Sequence, residues 1–254
     1  MFNRVITPLR FPNDASKIAH IVADLIGGTT KNITSPFFMG GGLEINLLNY
    51  GYKIKAYTGY KDLFDFWNCL SRDPEAVFQA AKCLMPIDED MFYLMQNNLS
   101  ENSEWFTKAA MFFAVNRSTT HGTVSYGKMQ KDHPHFNEHS LRLLRNFDAK
   151  NLEIFHEPNY KDVINSSDDV ILCCPPLYAP MTGLTSAPSS HPESKTIDHS
   201  NLYDLLSLKN KWILFLNYHE NLVKIYKQFN IVKINKFYNL AQQDPAHILI
   251  TKGV

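Results

Sequence analysis

Between Ser167 and Pro180 the chain reads SDDVILCCPPLYAP, and this stretch constrains the fold more than any other. Val170, Ile171, Leu172 and Cys173 form a short apolar run rich in β-branched residues, the composition of a strand buried on both faces. Pro175 and Pro176 must end that strand, because proline offers no N–H to a ladder. Cys173 and Cys174, as neighbours in an extended segment, point to opposite faces. Whatever follows lies at the carboxyl edge of the sheet, where ligands bind in open α/β folds. A Pro-Pro corner carrying Tyr178 makes a rigid floor for a flat polar ligand; on spacing alone, a buried strand followed by a kinked loop accounts for it too.

The rest of the chain alternates in period. Ile18, Ile21, Val22, Leu25 and Ile26 fall on one helical face, with Ser16 or Asp14 placed to cap the helix and Gly27-Gly28 to stop it. Strand patterns run over 53–57, 152–156, 211–217, 231–234 and 247–251, and helical patterns over 138–144, 198–206 and 220–228. Such alternation predicts a doubly wound α/β sheet of Rossmann type. From 61 to 147 the pattern is mostly helical, which divides the chain into an α/β core of 1–60 and 148–254 and an insertion of 61–147. With 254 residues, 44% of them hydrophobic, the chain has ample material for one such domain.

Lys plus Arg and Asp plus Glu balance at 25 each, so no global positive field points to nucleic acid, and any such contact needs a local basic patch. No apolar run approaches the roughly 18 residues that span a bilayer, which predicts a soluble, cytoplasmic protein without membrane contact. Cys69, Cys83, Cys173 and Cys174 have no paired spacing, and reduced thiols are expected. His133, His135 and His139 lie close in sequence but are interrupted by Pro134 and lack a fourth evident ligand, so no metal is expected.

A second motif is the glycine triplet Gly40-Gly41-Gly42, preceded by Pro36, Phe37 and Phe38 and followed by a helical pattern. Such a triplet lets backbone approach a ligand, and the helix start offers free amides, although tight turns use the same residues. Together, PFFMGGG and CPPLY resemble the cofactor-binding and catalytic motifs of adenine-specific (N6) DNA methyltransferases of the Dam-like family. The resemblance runs in order through nearly the whole chain. It implies a class I S-adenosylmethionine-dependent methyltransferase fold, with the helical insertion carrying target recognition. By that resemblance Cys174, Pro175, Pro176 and Tyr178 occupy the catalytic DPPY motif, with Cys174 where the family has aspartate and Leu177 inserted before the tyrosine. Phe37, Phe38, Gly40, Gly41, Gly42, Thr58, Asn159 and Tyr160 occupy the S-adenosylmethionine site, Thr58 at the ribose position and Asn159-Tyr160 at an Asp-Phe pair. Asn116, Arg117 and Lys128 fall in an element linked to DNA contact. Asn13, Asp14 and Ala15 stand where the family has Gly-Gly-Lys.

The family carboxylates at 58, 159 and 174 are therefore all replaced, while glycines, prolines and aromatics are kept. A thiol is a poor substitute for the acceptor at the reacting amine. Two functions follow from this pattern: a DNA adenine N6-methyltransferase, or a catalytically inactive methyltransferase-like protein that binds DNA or a protein partner, including a second copy of itself. A third is a covalent enzyme using a Cys174 thiolate, for which the sequence supplies no group that would lower the thiol pKa. Asp62 and Asp65 read as exposed first-turn residues of the next helix.

Overall fold

The computed structural model describes residues 4–11, 15–28, 31–131, 135–175, 197–241 and 243–254. Among these are seven strands: β1 (Asn32–Ser35), β2 (Lys53–Thr58), β3 (Leu152–His156), β4 (Val170–Cys173), β5 (Trp212–Asn217), β6 (Asn230–Ile234) and β7 (His247–Lys252). They form one sheet in the order β3-β2-β1-β4-β5-β7-β6. The first five strands are parallel, and β7 runs antiparallel between β5 and β6.

The apolar strands alternate their side chains between two cores, as a doubly covered sheet requires. Ile33, Ile54, Ala56, Val170, Leu172, Ile213 and Phe215 face one core, and Ile171, Cys173, Trp212, Leu214, Leu216 and Ile248 the other. The first face is covered by α1 (Ala19–Ile26), α2 (Gly42–Leu48), α3 (Lys61–Arg72), α4 (Pro74–Lys82), α5 (Glu89–Asn98), α6 (Trp105–Ser118) and α7 (Glu138–Arg145). The second is covered by α8 (Tyr160–Ser166), α9 (His199–Ser207) and α10 (Glu220–Ile225). The helical stretch expected over 61–147 is present as α3 to α7. Its core is continuous with that of the sheet: Phe66, Trp67, Phe112 and Phe113 carry on from Ile33 and Ile54 in one cluster.

Several local expectations need correction. The first helix opens as a 3-10 turn over Ala15–Ile18 before α1 begins, and Ser16 is buried, accepting a 2.8 Å bond from Arg4 Nε. Asp14, the other expected cap, lies outside the described residues. Gly27 ends α1 at φ 71, as its position implies. Asp62 and Asp65 are not free first-turn charges. Lys108 of α6 reaches both, at 2.8 and 2.9 Å, and Ser100 donates to Asp62 at 2.8 Å. That network clamps α3 to α6. Among the described residues no helix is long and apolar enough to cross a membrane.

Candidate functional site

Strand order reverses between β1 and β4, and in such sheets the crevice outside the strands' carboxyl ends is the ligand position. β1 delivers Ser35 and then Phe37, Phe38, Gly40, Gly41 and Gly42 to this edge; β4 delivers Cys174 and Pro175. Next door, β2 ends at Thr58, and β3 leads into Glu157, Asn159 and Tyr160. Pro176 and Tyr178, the remainder of the catalytic motif, lie outside the described residues.

The glycine-bearing loop is held from three sides. The Phe38 N–H donates to the Tyr57 carbonyl at 2.8 Å, its ring lies 5.2 Å from that of Trp67, and Trp67 Nε1 donates to the Met39 carbonyl at 2.9 Å. Phe11 covers Gly40: a side chain on residue 40 would start 3.1 Å from it, so Phe11 would have to shift by a few tenths of an ångström. Phe37 pairs with Tyr160, ring centroids 5.0 Å apart at 39°. Burial, followed by Asp198 and Cys173, pushes the Tyr160 phenol up, so it is neutral near pH 7.

Of the positions that resemblance assigns to the cofactor, two are engaged elsewhere. Thr58 is 2% exposed and its hydroxyl accepts from the Tyr60 N–H at 3.3 Å, because strand alternation turns it to the core face with Ile54 and Ala56. Asn159 caps α8: its side chain accepts from the Lys161 N–H at 3.2 Å and donates to Asp162 at 2.7 Å. Glu157, outside the resembling motifs, stands beside both. Its N–H donates to the Thr58 carbonyl at 3.0 Å and its carboxylate accepts from the Asn159 N–H at 2.9 Å. An acidic residue immediately after a strand at the ligand edge was the available signal.

Glu44 was also missed. It lies in the first turn of α2, 3% exposed, and Oε1 accepts from Ser35 Oγ at 2.8 Å. An acid inside the otherwise apolar segment GLEINLL marks it in sequence. Cys174 is on the same face of the sheet as Ser35 and packs against the same core. Burial above all, then Glu44 and Cys173, pushes the Cys174 thiol well above its ordinary value. That direction disfavours a thiolate, in line with the absence in the sequence of a group that would lower the thiol pKa. Cys173 points into the other core, and burial raises its thiol as well.

No protein-family model and no curated protein matches the chain.

Asn116 and Arg117, which the resemblance places in an element linked to DNA contact, are both buried. Asn116 accepts from the Arg10 N–H at 2.9 Å and donates to the carbonyls of Arg10 and Gly122 at 2.9 and 2.6 Å. Arg117, 8% exposed, donates to the carbonyls of Pro8 at 2.6 Å and Thr7 at 2.9 Å. Burial, with the nearby Arg10 charge, brings its guanidinium down to about 10. These two residues stitch residues 7–10 to the end of α6 and do not present a surface to DNA. Gly122 belongs to the same seam: at φ 76, a side chain there would start 1.9 Å from the Arg10 carbonyl oxygen. Lys128 remains exposed and accessible to a phosphate. Tyr60 OH meets Ser125 Oγ at 3.0 Å, tying the loop after α6 to the edge of the crevice. Among the described residues no group of three His, Cys, Asp or Glu side chains is placed to hold a metal.

Proposed function

We propose that this chain is a class I methyltransferase fold that binds S-adenosylmethionine at the β1/β4 crevice and directs the methyl group to the exocyclic amine of adenine in DNA. The observation that carries this reading is the sheet. Compared with the doubly wound order 3-2-1-4-5-6, it holds one additional strand, reversed, between β5 and β6. That arrangement agrees with the fold implied by the PFFMGGG and CPPLY motifs. Fold alone does not specify chemistry, so the reading also rests on the residues at the crevice.

The residues present fit an adenosine-bearing group in a modified way. The Phe37 and Tyr160 rings offer an aromatic wall for an adenine. Glu157, rather than Thr58, supplies a carboxylate next to the ends of β2 and β3, able to accept from ribose hydroxyls. When bound, the cofactor supplies an electrophilic methyl group. On the acceptor side the chain offers the Pro175 carbonyl and, by resemblance, the Tyr178 ring for a base taken out of the stack. Lys128 is the exposed cation for backbone phosphate.

A catalytically silent binder is the second reading, favoured by the neutral thiol at Cys174 where an ionised acceptor would sit. The test is transfer of labelled methyl groups to duplex DNA containing adenine, against the same duplex carrying N6-methyladenine. The proposal expects slow, adenine-dependent transfer, raised by about two decades in Cys174→Asp, the usual worth of a preorganised charged acceptor. Saturable cofactor binding with no transfer in either protein selects the silent reading. Absence of saturable binding at millimolar cofactor contradicts the transferase reading and leaves a silent protein that binds DNA or a protein partner.

A further inference from the structure

The sheet has two outer strands, β3 and β6, and they are finished differently. Unpaired strand edges invite pairing with another chain, and proteins blunt them with charge, proline or a covering loop. β6 is blunted in this way. Lys233 is exposed along it, and the loop that follows folds back, Ala241 N–H donating to the Lys233 carbonyl at 2.9 Å and Leu240 bridging to Ile234. β3, of sequence LEIFH, carries neither lysine nor proline. Its inner side is fixed by the Ile54 N–H donating to the Asn151 carbonyl at 2.8 Å and the Glu157 N–H donating to the Thr58 carbonyl at 3.0 Å. Alternate residues of a paired strand face the neighbour, so Glu153 and Phe155 bond to β2 while Leu152, Ile154 and His156 turn their N–H and C=O groups outward. The Leu152 N–H donates to the Ala149 carbonyl at 3.0 Å; among the described residues the N–H groups of Ile154 and His156 have no backbone partner. Beside this edge Phe155, 39% exposed, stacks on Tyr57 with ring centroids 5.0 Å apart.

We propose that the chain pairs with a second copy of itself through β3, the two strands running antiparallel about a twofold axis at Ile154 and joining both sheets into one. The strand is self-complementary in that register. The two Ile154 residues exchange N–H···O bonds, and each His156 N–H meets the Leu152 carbonyl of the other copy. Glu153 faces Phe155 and Leu152 faces His156, so no like charges stand opposite one another. The two Phe155 rings become diagonal neighbours within reach of each other, flanked by the two Tyr57 rings. Just past the strand ends, Lys150 of each copy comes beside Glu157 of the other, which sets opposite charges at both ends of the contact. Twofold pairing through one self-matching patch is the commonest form of homo-oligomer. It needs no ligand and is independent of the cofactor reading.

The experiment is sedimentation velocity of the full chain from about 1 to 100 µM, compared with Phe155→Glu. Wild type is expected to pass from the 29.2 kDa monomer to twice that mass as concentration rises. Phe155→Glu changes an exposed side chain, leaves the backbone intact and sets a carboxylate directly opposite Glu153 of the other copy. Its dissociation constant should rise at least about 10-fold. Cysteine pairing reads the register. Residues 153 and 155 of opposite copies form a non-hydrogen-bonded pair about 4.5 Å apart at Cα. A chain carrying both Glu153→Cys and Phe155→Cys should therefore give a disulfide-linked dimer under mild oxidant, and neither single change should. A monomer at every concentration overturns the proposal. So do a dimer that Phe155→Glu leaves unchanged and a double-cysteine variant that forms no more cross-link than the single ones.

Discussion

Trp67→Ala is expected to lower stability by about 3–5 kcal/mol, the range for removing a large aromatic from a packed core. In a chain of this size that corresponds to a fall in Tm of roughly 10 °C, readable by calorimetry or circular dichroism. Trp67 is fully buried and touches the rings of Phe38, Phe66 and Phe147, so the cavity would open where the sheet core meets the helical stretch. It also holds the loop after β1 through the Met39 carbonyl. On the cofactor reading proposed above, the variant should also bind S-adenosylmethionine more weakly under conditions where it remains folded. Trp67→Phe separates the two effects: it keeps most of the packing and loses the hydrogen bond, at about 1 kcal/mol. An alanine variant as stable as the wild type would mean that the loop and core are not joined through this residue.

Lys108→Met should cost about 3 kcal/mol, because it leaves two poorly hydrated carboxylates facing each other without their shared cation. Lys108, Asp62 and Asp65 have side-chain exposures of 12%, 11% and 20%. The difference depends on pH. Burial acts to raise the Asp65 carboxyl, but hydrogen bonds from Lys61 and Lys108 and their charges outweigh it and hold it below its ordinary value. A depressed carboxylate stabilises the fold above its unfolded pKa, and that contribution disappears as pH falls through the folded value. For Lys108, burial acts to lower the ammonium, and the bonds to Asp62 and Asp65 raise it overall. Its contribution is complete below the ordinary lysine value and disappears as pH rises through the raised one. Chemical denaturation should give the largest gap between wild type and variant from about pH 5 to pH 10, narrowing toward pH 3. A gap independent of pH would point to lost packing instead of lost charge.

The elements that proved legible in sequence are those whose signal is local. VILC reads as a doubly buried strand and is one, and the opposite facing of Cys173 and Cys174 follows from extended geometry alone. Gly27 stops the first helix where a left-handed residue is needed. Arg117 was not legible, since its partners at Thr7 and Pro8 lie more than a hundred positions away and no local pattern announces that residues 7–10 fold back over α6. A polar Asn-Arg-Ser run looks like surface until that return is known. Thr58 was readable in principle: it has the same parity as Ile54 and Ala56, so alternation puts it in the core while the motif comparison put it at the ligand. Glu44 and Glu157 escaped for the same reason. Motif positions direct attention to aligned residues, whereas the crevice is filled by whichever elements the sheet order brings there. The reversed β7 between β5 and β6 is likewise a property of pairing, with no trace in its own sequence pattern.

The central claim is that the β1/β4 edge is a nucleoside site, and hydrogen exchange of the intact chain with and without S-adenosylhomocysteine tests it most directly. The account predicts slower exchange on ligand addition in segments 36–45, 157–161 and 173–175, with little change in α9, α10 and β6. Protection confined to other parts of the chain, or none at saturating ligand, would contradict it.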